Sequence, residues 1–149
     1  AIVNAPVSKV MAAVLDYGNY AQFLPHFRIS KVLSQRGANA FVYMEALVIK
    51  NTFKIWVQAS FRERPSQGNT RVIEGKMLKG NVTRLDSRWE VTPLDQNRTL
   101  VVFQMFLDPG LPLPSSVVSQ QNAIAARRTI KSLRDKRLVA NKDALVNAR

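Results

Sequence analysis

Two segments of alternating apolar and polar residues, 39–49 and 52–62, constrain the fold more than any other feature of the sequence. A two-residue turn at Lys50-Asn51 would join them as a β-hairpin, in which residues equally distant from the turn face each other. All the facing pairs on one side are then apolar: Val42 with Ala59, Met44 with Val57, Ala46 with Ile55, and Val48 with Phe53. Because both strands carry the same apolar face, the sequence predicts a hairpin buried on that face and partly wetted on the other.

Similar alternation continues along the chain, with Gly, Pro or Asn at the joints. It predicts a short strand at 1–3 and six longer ones at 26–34, 39–49, 52–62, 69–77, 81–91 and 98–107. Helical spacing and capping residues predict three helices. They are a first helix capped by Asn4 and ending at Leu15, a short one at 19–23, and a long one from Ser115 or Ser116 to Leu138, followed by a frayed tail at 141–149.

The order of these elements predicts one α+β domain that spans residues 1–149. A long helix after six or seven antiparallel strands can bury its apolar stripe only against the concave face of a curved sheet. That stripe begins with two small residues, Ala123 and Ala126, before Ile130 and Leu133. Small residues there would leave room for a ligand cavity between helix and sheet. In the alternative arrangement, aromatic side chains fill this space; they are Phe53, Phe61, Trp89 and Phe103.

The composition excludes several kinds of site. The chain has no cysteine and one histidine, so disulfides, thiolate zinc sites, iron–sulfur clusters, cysteine nucleophiles and multi-histidine metal centres are ruled out. We expect no metal and no cofactor. His26 is typical of a turn or surface residue, and the hairpin register turns Glu45 outward. The sequence therefore predicts no catalytic residue, and an enzymatic function is the less favoured alternative.

The charge is strongly positive, with 22 Lys+Arg against 10 Asp+Glu and a formal net charge of +12. Helical spacing puts Arg127, Lys131 and Arg134 on one outward face, which would attract an anionic membrane surface. Ordinary solubility is the alternative explanation. Nucleic acid is a less favoured partner, because these basic residues lack an aromatic stacking platform.

Several segments resemble a known superfamily. They are Ile2-Val3-Asn4-Ala5-Pro6-Val7-Ser8-Lys9-Val10, Asp16-Tyr17-Gly18-Asn19-Tyr20-Ala21-Gln22-Phe23-Leu24-Pro25, Trp89 within Ser87-Arg88-Trp89-Glu90-Val91, and Asp108-Pro109-Gly110-Leu111-Pro112-Leu113-Pro114. In this order they are similar to the START-like, polyketide-cyclase-like (SRPBCC) superfamily, which includes birch-pollen-allergen-like and coenzyme Q-binding proteins. The resemblance implies the helix-grip fold and a deep pocket for a hydrophobic molecule such as a lipid, quinone, sterol or polyketide.

Inward-facing residues of four elements are expected to line such a pocket. They are Val42, Met44, Ala46, Phe53, Ile55, Val57 and Ala59 of the hairpin, Leu85, Ser87 and Trp89 of the next long strand, Val101, Phe103 and Met105 of the last strand, and Ala123, Ala126 and Ile130 of the helix. We therefore expect a protein that binds or transports a hydrophobic small molecule. The alternatives are a polyketide cyclase or aromatase using the same cavity, and an RNA- or ribosome-binding module. No apolar stretch is long enough to span a membrane, so we expect a soluble protein, cytoplasmic, periplasmic or peripherally membrane-associated.

Overall fold

The computed structural model describes residues 1–24, 27–48, 53–110, 127, 128, 130, 131 and 133. Its strands are β1 (Ile2–Val3), β2 (Phe27–Arg36), β3 (Asn39–Val48), β4 (Phe53–Gln67), β5 (Thr70–Gly80), β6 (Arg84–Pro93) and β7 (Thr99–Asp108). Two short helices, α1 (Val7–Val14) and α2 (Tyr20–Phe23), follow β1, with a 3-10 turn at Tyr17–Asn19 between them. The five described residues from 127 to 133, which we call the C-terminal helical segment, are helical.

Some predictions concern residues outside this described part. They are His26, the Lys50-Asn51 turn, the cap at Ser115 or Ser116, most of the helix to Leu138, the side chains of Ala123, Ala126 and Arg134, and the tail at 141–149.

All seven strands form one antiparallel sheet in the order β1-β7-β6-β5-β4-β3-β2. Successive strands from β2 to β7 pair as neighbours, whereas β1 crosses to pair with β7. The sheet is curved, as predicted, and two short helices follow its first strand. In the described part, no helix is both long enough and apolar enough to cross a bilayer.

The central hairpin has the predicted register. Val42 pairs with Ala59, Met44 with Val57, and Ala46 with Ile55, and all six side chains are at most 4% exposed. We call this buried side of the sheet the inner face. The opposite, outer face carries the alternate residues of each strand, among them Phe41 and Trp56.

The inner face forms the core together with the helices. Helix α1 lies against β6 and buries Val10, Met11, Ala13 and Val14. Leu133 of the C-terminal helical segment is completely buried in the same core, and Ile130 is partly buried against it. The C-terminal helical segment therefore packs on the core, as the apolar stripe predicted.

The first helix begins later than predicted. Pro6, not Asn4, is the N-cap of α1, and the Pro6 carbonyl accepts hydrogen bonds from the amides of Lys9 and Val10. The reason lies in β7: the fully buried Thr99 hydroxyl donates to the Ala5 carbonyl at 2.8 Å. Because the Ala5 carbonyl is bound to β7, it is not available to the helix. The helical hydrogen bonds therefore begin at the next carbonyl, that of Pro6.

Several strand boundaries also differ from the prediction, and two of these differences have a clear structural cause. Strand β4 continues to Gln67 because its polar end still pairs with β5 as far as Thr70. Strand β6 begins at Arg84 instead of 81 because Asn81 folds back onto β4. Its Oδ1 accepts from the Trp56 amide at 2.8 Å, and its Nδ2 donates to the Lys54 carbonyl at 3.0 Å.

Candidate ligand-binding site

A small cavity of about 30 Å³ lies on the inner face of the sheet, beside α2. Its lining comes from α2 and its C-terminal end, from the start of β2 and from β3 to β7: Tyr20, Leu24, Phe27, Met44, Ala59, Phe61, Gly75, Leu85, Ser87, Trp89, Phe103 and Met105. A water molecule needs at least about 10–15 Å³ measured in this way, so the cavity has room for about two waters. It would take one end of a ligand, and a whole lipid would need space beyond it.

Aromatic rings form the wall of the cavity nearest the helices. Tyr17 stacks on Phe61 with ring centroids 4.5 Å apart, and Tyr20 meets Phe61 edge-on at 6.1 Å. On the far side, Trp89 packs on Phe103 at 4.2 Å. Edge-on and offset pairs of this kind stabilise beyond their buried area, so this wall is rigid.

The two tyrosine hydroxyls are already engaged. Tyr20 donates to the Val14 carbonyl, and Tyr17 donates to the Ala38 carbonyl at 2.7 Å. Burial raises the pKa of Tyr20 well above its usual range, although a hydrogen bond from Trp89 acts in the opposite direction. Burial likewise raises the pKa of Tyr17, and the nearby Glu63 carboxylate adds to this effect. Both phenols therefore stay neutral and act as structural donors.

Ser87 differs from the other polar groups of the lining. Its side chain has no hydrogen-bond partner among the described residues. The neighbouring Gly75 makes space for it: a Cβ atom at Gly75 would lie 2.6 Å from Ser87 Oγ and 2.6 Å from Phe61 Cε1. Within the described part of the chain, the cavity thus holds one hydroxyl without a protein partner, in a wall that is mostly apolar.

An ion pair lies at the edge of the aromatic wall. Arg71 donates two hydrogen bonds to the Glu63 carboxylate, from Nε at 2.6 Å and from NH2 at 2.9 Å. The hydrogen bond from Arg71 lowers the pKa of Glu63 below its usual value of 4.5. Both side chains are more than a quarter exposed, so solvent screens the pair.

A pH dependence of stability follows from this pair. Because the pKa of Glu63 is lowered by folding, its contribution is complete above pH 4.5 and is lost as the pH falls through the lowered pKa. We expect Glu63→Gln to remove less than about 1 kcal/mol of unfolding free energy near neutral pH and to leave stability unchanged at pH values below the lowered pKa, where the carboxyl group is protonated in both the folded and the unfolded protein. Urea unfolding at several pH values measures this. A loss that is the same at every pH would contradict it.

The structure brings together part of the predicted pocket lining. The cavity is lined by Met44, Ala59, Leu85, Ser87, Trp89, Phe103 and Met105. Other predicted residues lie on the same face but are buried in the core outside this cavity: Val42, Ala46, Ile55, Val57 and Val101. Phe53 and Ile130 are partly buried against that core.

Five lining residues were not predicted: Tyr20, Leu24, Phe27, Phe61 and Gly75. Phe61 could have been found, because it continues the apolar face of β4 two residues beyond Ala59. Gly75 carries no apolar signal, since a glycine interrupts the alternating pattern. Tyr20 and Leu24 reach the cavity from outside the sheet.

Several charged residues of the outer face form ion pairs. Glu45 lies on this face, as predicted, where it accepts a hydrogen bond from Tyr43 at 2.7 Å and pairs with Lys54 at 3.2 Å. These two contacts, chiefly that from Tyr43, lower the pKa of Glu45. The alternating charges of β6 pair along the strand, Arg84 with Asp86 at 2.5 Å and Arg88 with Glu90 at 2.9 Å. The outer surface of β6 therefore carries charges that pair with one another.

The predicted basic surface of the C-terminal helix is described at two of its three positions. Arg127 and Lys131 are exposed, on a segment whose Leu133 is buried. Arg134 lies outside the described residues.

A curved seven-stranded antiparallel sheet, with two short helices after its first strand and an apolar cavity on its inner face, defines a START-like domain. Residues 3–134 match the sequence pattern of the protein family described as "Polyketide cyclase / dehydrase and lipid transport". The chain therefore belongs to this polyketide cyclase and lipid transport family, and the superfamily resemblance seen in the sequence is confirmed. No curated protein sequence matches the chain.

Solved structures share the fold at low sequence identity. A START superfamily protein from Mycobacterium smegmatis has a TM-score of 0.77 and 17% identity, over 91% of this chain and 92% of that one. A STAR-related lipid transfer protein from Xanthomonas axonopodis has a TM-score of 0.75 and 16% identity, over 91% and 81%. The Zhui aromatase/cyclase from Streptomyces sp. R1128 has a TM-score of 0.69 and 18% identity, over 91% and 88%. At these identities the likeness shows the fold alone.

Proposed function

We propose that this protein binds an uncharged hydrophobic small molecule, such as a lipid, quinone, sterol or polyketide, on the inner face of its sheet and carries it. The observation that supports this most strongly is the apolar cavity, where the Ser87 hydroxyl has no partner among the residues that the structure describes. Ligand sites are typically apolar with a few well-placed polar groups, and this cavity has that composition on a small scale.

The lining also limits the chemistry of the ligand. The residues that line the described cavity include no Lys, Arg, Asp, Glu or His. A charged ligand group would lose its hydration there without gaining a partner, which is strongly unfavourable. The Ser87 hydroxyl can both donate and accept one hydrogen bond. The ligand we propose is therefore largely apolar and places one neutral oxygen, a hydroxyl or a carbonyl, against Ser87.

A cyclase or aromatase would need groups that move protons between substrate atoms. In the described lining, the ionisable side chain is Tyr20, whose hydroxyl is bound to the Val14 carbonyl and whose pKa is raised by burial. This arrangement favours binding and transport over catalysis.

Anionic membranes are the proposed place of loading and release. Arg127 and Lys131 are exposed on the C-terminal helical segment, whose other side reaches the core through Leu133. A basic side chain near an anionic surface contributes about 1 kcal/mol. Such attraction would hold the cavity-forming domain close to a lipid source.

The role of Ser87 can be tested with a matched pair of probes. We expect the wild-type protein to bind naphthol more tightly than methylnaphthalene, because only naphthol can hydrogen-bond to Ser87. In Ser87→Ala the preference should fall by about five- to tenfold, the effect of about 1 kcal/mol for one hydrogen bond. Fluorescence titration measures both affinities. Ser60→Ala, a serine on the outer face, is the matched control and should keep the preference.

The function itself is tested by extracting the purified protein with organic solvent and identifying the extract by mass spectrometry. Recovery of a neutral apolar compound in stoichiometric amount would support it. The proposal fails if nothing is extracted and neither naphthyl probe binds to the wild-type protein.

A further inference from the structure

A second, larger hollow lies at the β2–β3 end of the sheet, with a volume of about 490 Å³. Its lining comprises Ser34, Gln35, Arg36, Asn39, Ala40, Phe41, Ser60, Phe61, Arg62, Glu63 and Arg64. Ser60 and Arg62 alternate along β4 with the buried Ala59 and Phe61, so they lie on the outer face. We call this hollow the arginine groove; its serines and arginines lie on the outer face, and Phe61 borders both the groove and the cavity.

The groove arises from a difference in strand length. Strand β3 begins at Asn39, which pairs with Arg36 at the end of β2. Strand β4, in contrast, runs beyond its last β3-paired residue, Phe61, as far as Gln67. Arg62 and Arg64 therefore lie on the part of β4 that extends beyond the end of the β2–β3 hairpin. The groove is the space between this extension and the end of the hairpin.

Two of the three arginines lack an acidic partner. Within the described part of the chain, neither Arg36 nor Arg62 forms an ion pair, although Arg62 lies opposite Glu74. Arg88 holds Glu74 at 2.7 Å, and Arg64 reaches the other oxygen of Glu74 only at 3.6 Å. The positive charge of the groove is thus largely uncompensated.

The acidic residue in the lining does not reverse this balance. Glu63 lies on β4 between Arg62 and Arg64, so its side chain has the opposite orientation. Its carboxylate is bound by two hydrogen bonds from Arg71, at 2.6 and 2.9 Å. Its charge is therefore compensated by Arg71, which is not among the residues that line the groove.

Neutral hydrogen-bond donors accompany the arginines. The hydroxyls of Ser34 and Ser60 and the amide nitrogen of Asn39 have no partner among the described residues, since Asn39 uses only its Oδ1, to accept from the Glu63 amide at 3.4 Å. Guanidinium, hydroxyl and amide donors together are the groups that proteins commonly use to contact phosphate oxygens. The volume also falls within the range of about 300–1,000 Å³ that is usual for small-molecule sites.

We propose that the arginine groove binds a phosphate-bearing ligand, with Arg36 and Arg62 as its principal contacts and Arg64 as a third. The site is separate from the apolar cavity and does not depend on its ligand. A soluble phosphate compound and a phospholipid headgroup present the same chemistry, so the experiment has one arm for each source.

The test compares two double variants that remove the same charge from the outer face. Arg36→Ala/Arg62→Ala removes the two principal arginines of the groove and leaves Arg64. Lys76→Ala/Lys79→Ala removes two exposed cations outside the groove's lining. Binding of pyrophosphate is measured by calorimetry, and binding to phosphatidylcholine vesicles with and without phosphatidic acid by co-sedimentation. Circular dichroism checks that both variants fold, which we expect because all four side chains are exposed.

The proposal is supported if Arg36→Ala/Arg62→Ala binds pyrophosphate or phosphatidic acid vesicles at least about tenfold more weakly than the wild-type protein, while the affinity of the lysine control stays within about twofold of wild type. Loss in the pyrophosphate arm identifies a soluble ligand, and loss confined to the phosphatidic acid arm identifies a lipid headgroup. Equal losses of affinity in both variants would show that binding depends only on the overall positive charge of the protein, and would overturn the proposal. Absence of binding in both arms would overturn it as well.

Discussion

Replacing Phe61 with alanine is expected to lower the free energy of unfolding by about 3–5 kcal/mol, the usual cost of removing a buried aromatic ring. The Phe61 side chain is 3% exposed and stacks on Tyr17, meets Tyr20 edge-on and lies over Gly75. These neighbours are fixed by their own hydrogen bonds and by the strand backbone, so they cannot close the space that the ring leaves. Urea denaturation of the wild-type and variant proteins measures the difference.

Phe41 offers a matched control on the adjacent strand. Its ring is 42% exposed on the outer face. We expect Phe41→Ala to change the unfolding free energy by no more than about 0.5 kcal/mol, as is usual at exposed positions. Similar losses in the two variants would contradict the assignment of Phe61 to the buried face and Phe41 to the exposed face.

The parts of the fold that the sequence predicted correctly are those with local, repeated signals. In the β3–β4 hairpin each strand shows the same apolar alternation, and a shift of one residue would expose every apolar side chain of that strand. Together with the predicted two-residue turn, this alternation leaves one register, so pairs such as Met44 with Val57 could be predicted individually. The phase of β7 was also predicted correctly: Gln104 is exposed, and Phe103 belongs to the core.

The differences between prediction and structure come from contacts between residues far apart in the sequence. The start of α1 depends on a hydrogen bond from Thr99 to Ala5. The start of β6 depends on Asn81, whose side chain replaces two strand partners of β4. In each case a polar side chain satisfies a distant backbone group, and no local pattern in the sequence signals that it does so.

The candidate site shows the same division. Residues on the alternating inner face of the strands, such as Ala59 and Trp89, could be predicted as a set. Gly75 could not, because its role is to lack a side chain where Ser87 and Phe61 approach. The arginine groove was not predicted either, because it results from the extra length of β4 beyond the hairpin.

The cavity and the arginine groove occupy opposite faces of the same strands, and their chemistry is opposite as well. Along β4, Ala59 lines the cavity, Ser60 and Arg62 line the groove, and Phe61 borders both. Period-two alternation therefore gives one strand an apolar and a basic surface. Substitutions at neighbouring positions of β4 can thus be used to change one surface without the other.

Ala59→Met uses this property and is expected to abolish most ligand uptake. Ala59 is 2% exposed and lines the cavity between Met44 and Gly75. The longer, flexible side chain would fill the space of about 30 Å³ at a cost of about 1–3 kcal/mol in stability. We expect the affinity for naphthol to fall at least about tenfold, because the probe and the new side chain compete for the same volume.

Ser60→Met, one residue along on the outer face, adds a similar side chain and should leave naphthol binding unchanged. Undiminished binding in Ala59→Met, with the variant folded, would place the ligand elsewhere; a loss in both variants would show that overall damage to the sheet, and not occupation of the cavity, is responsible.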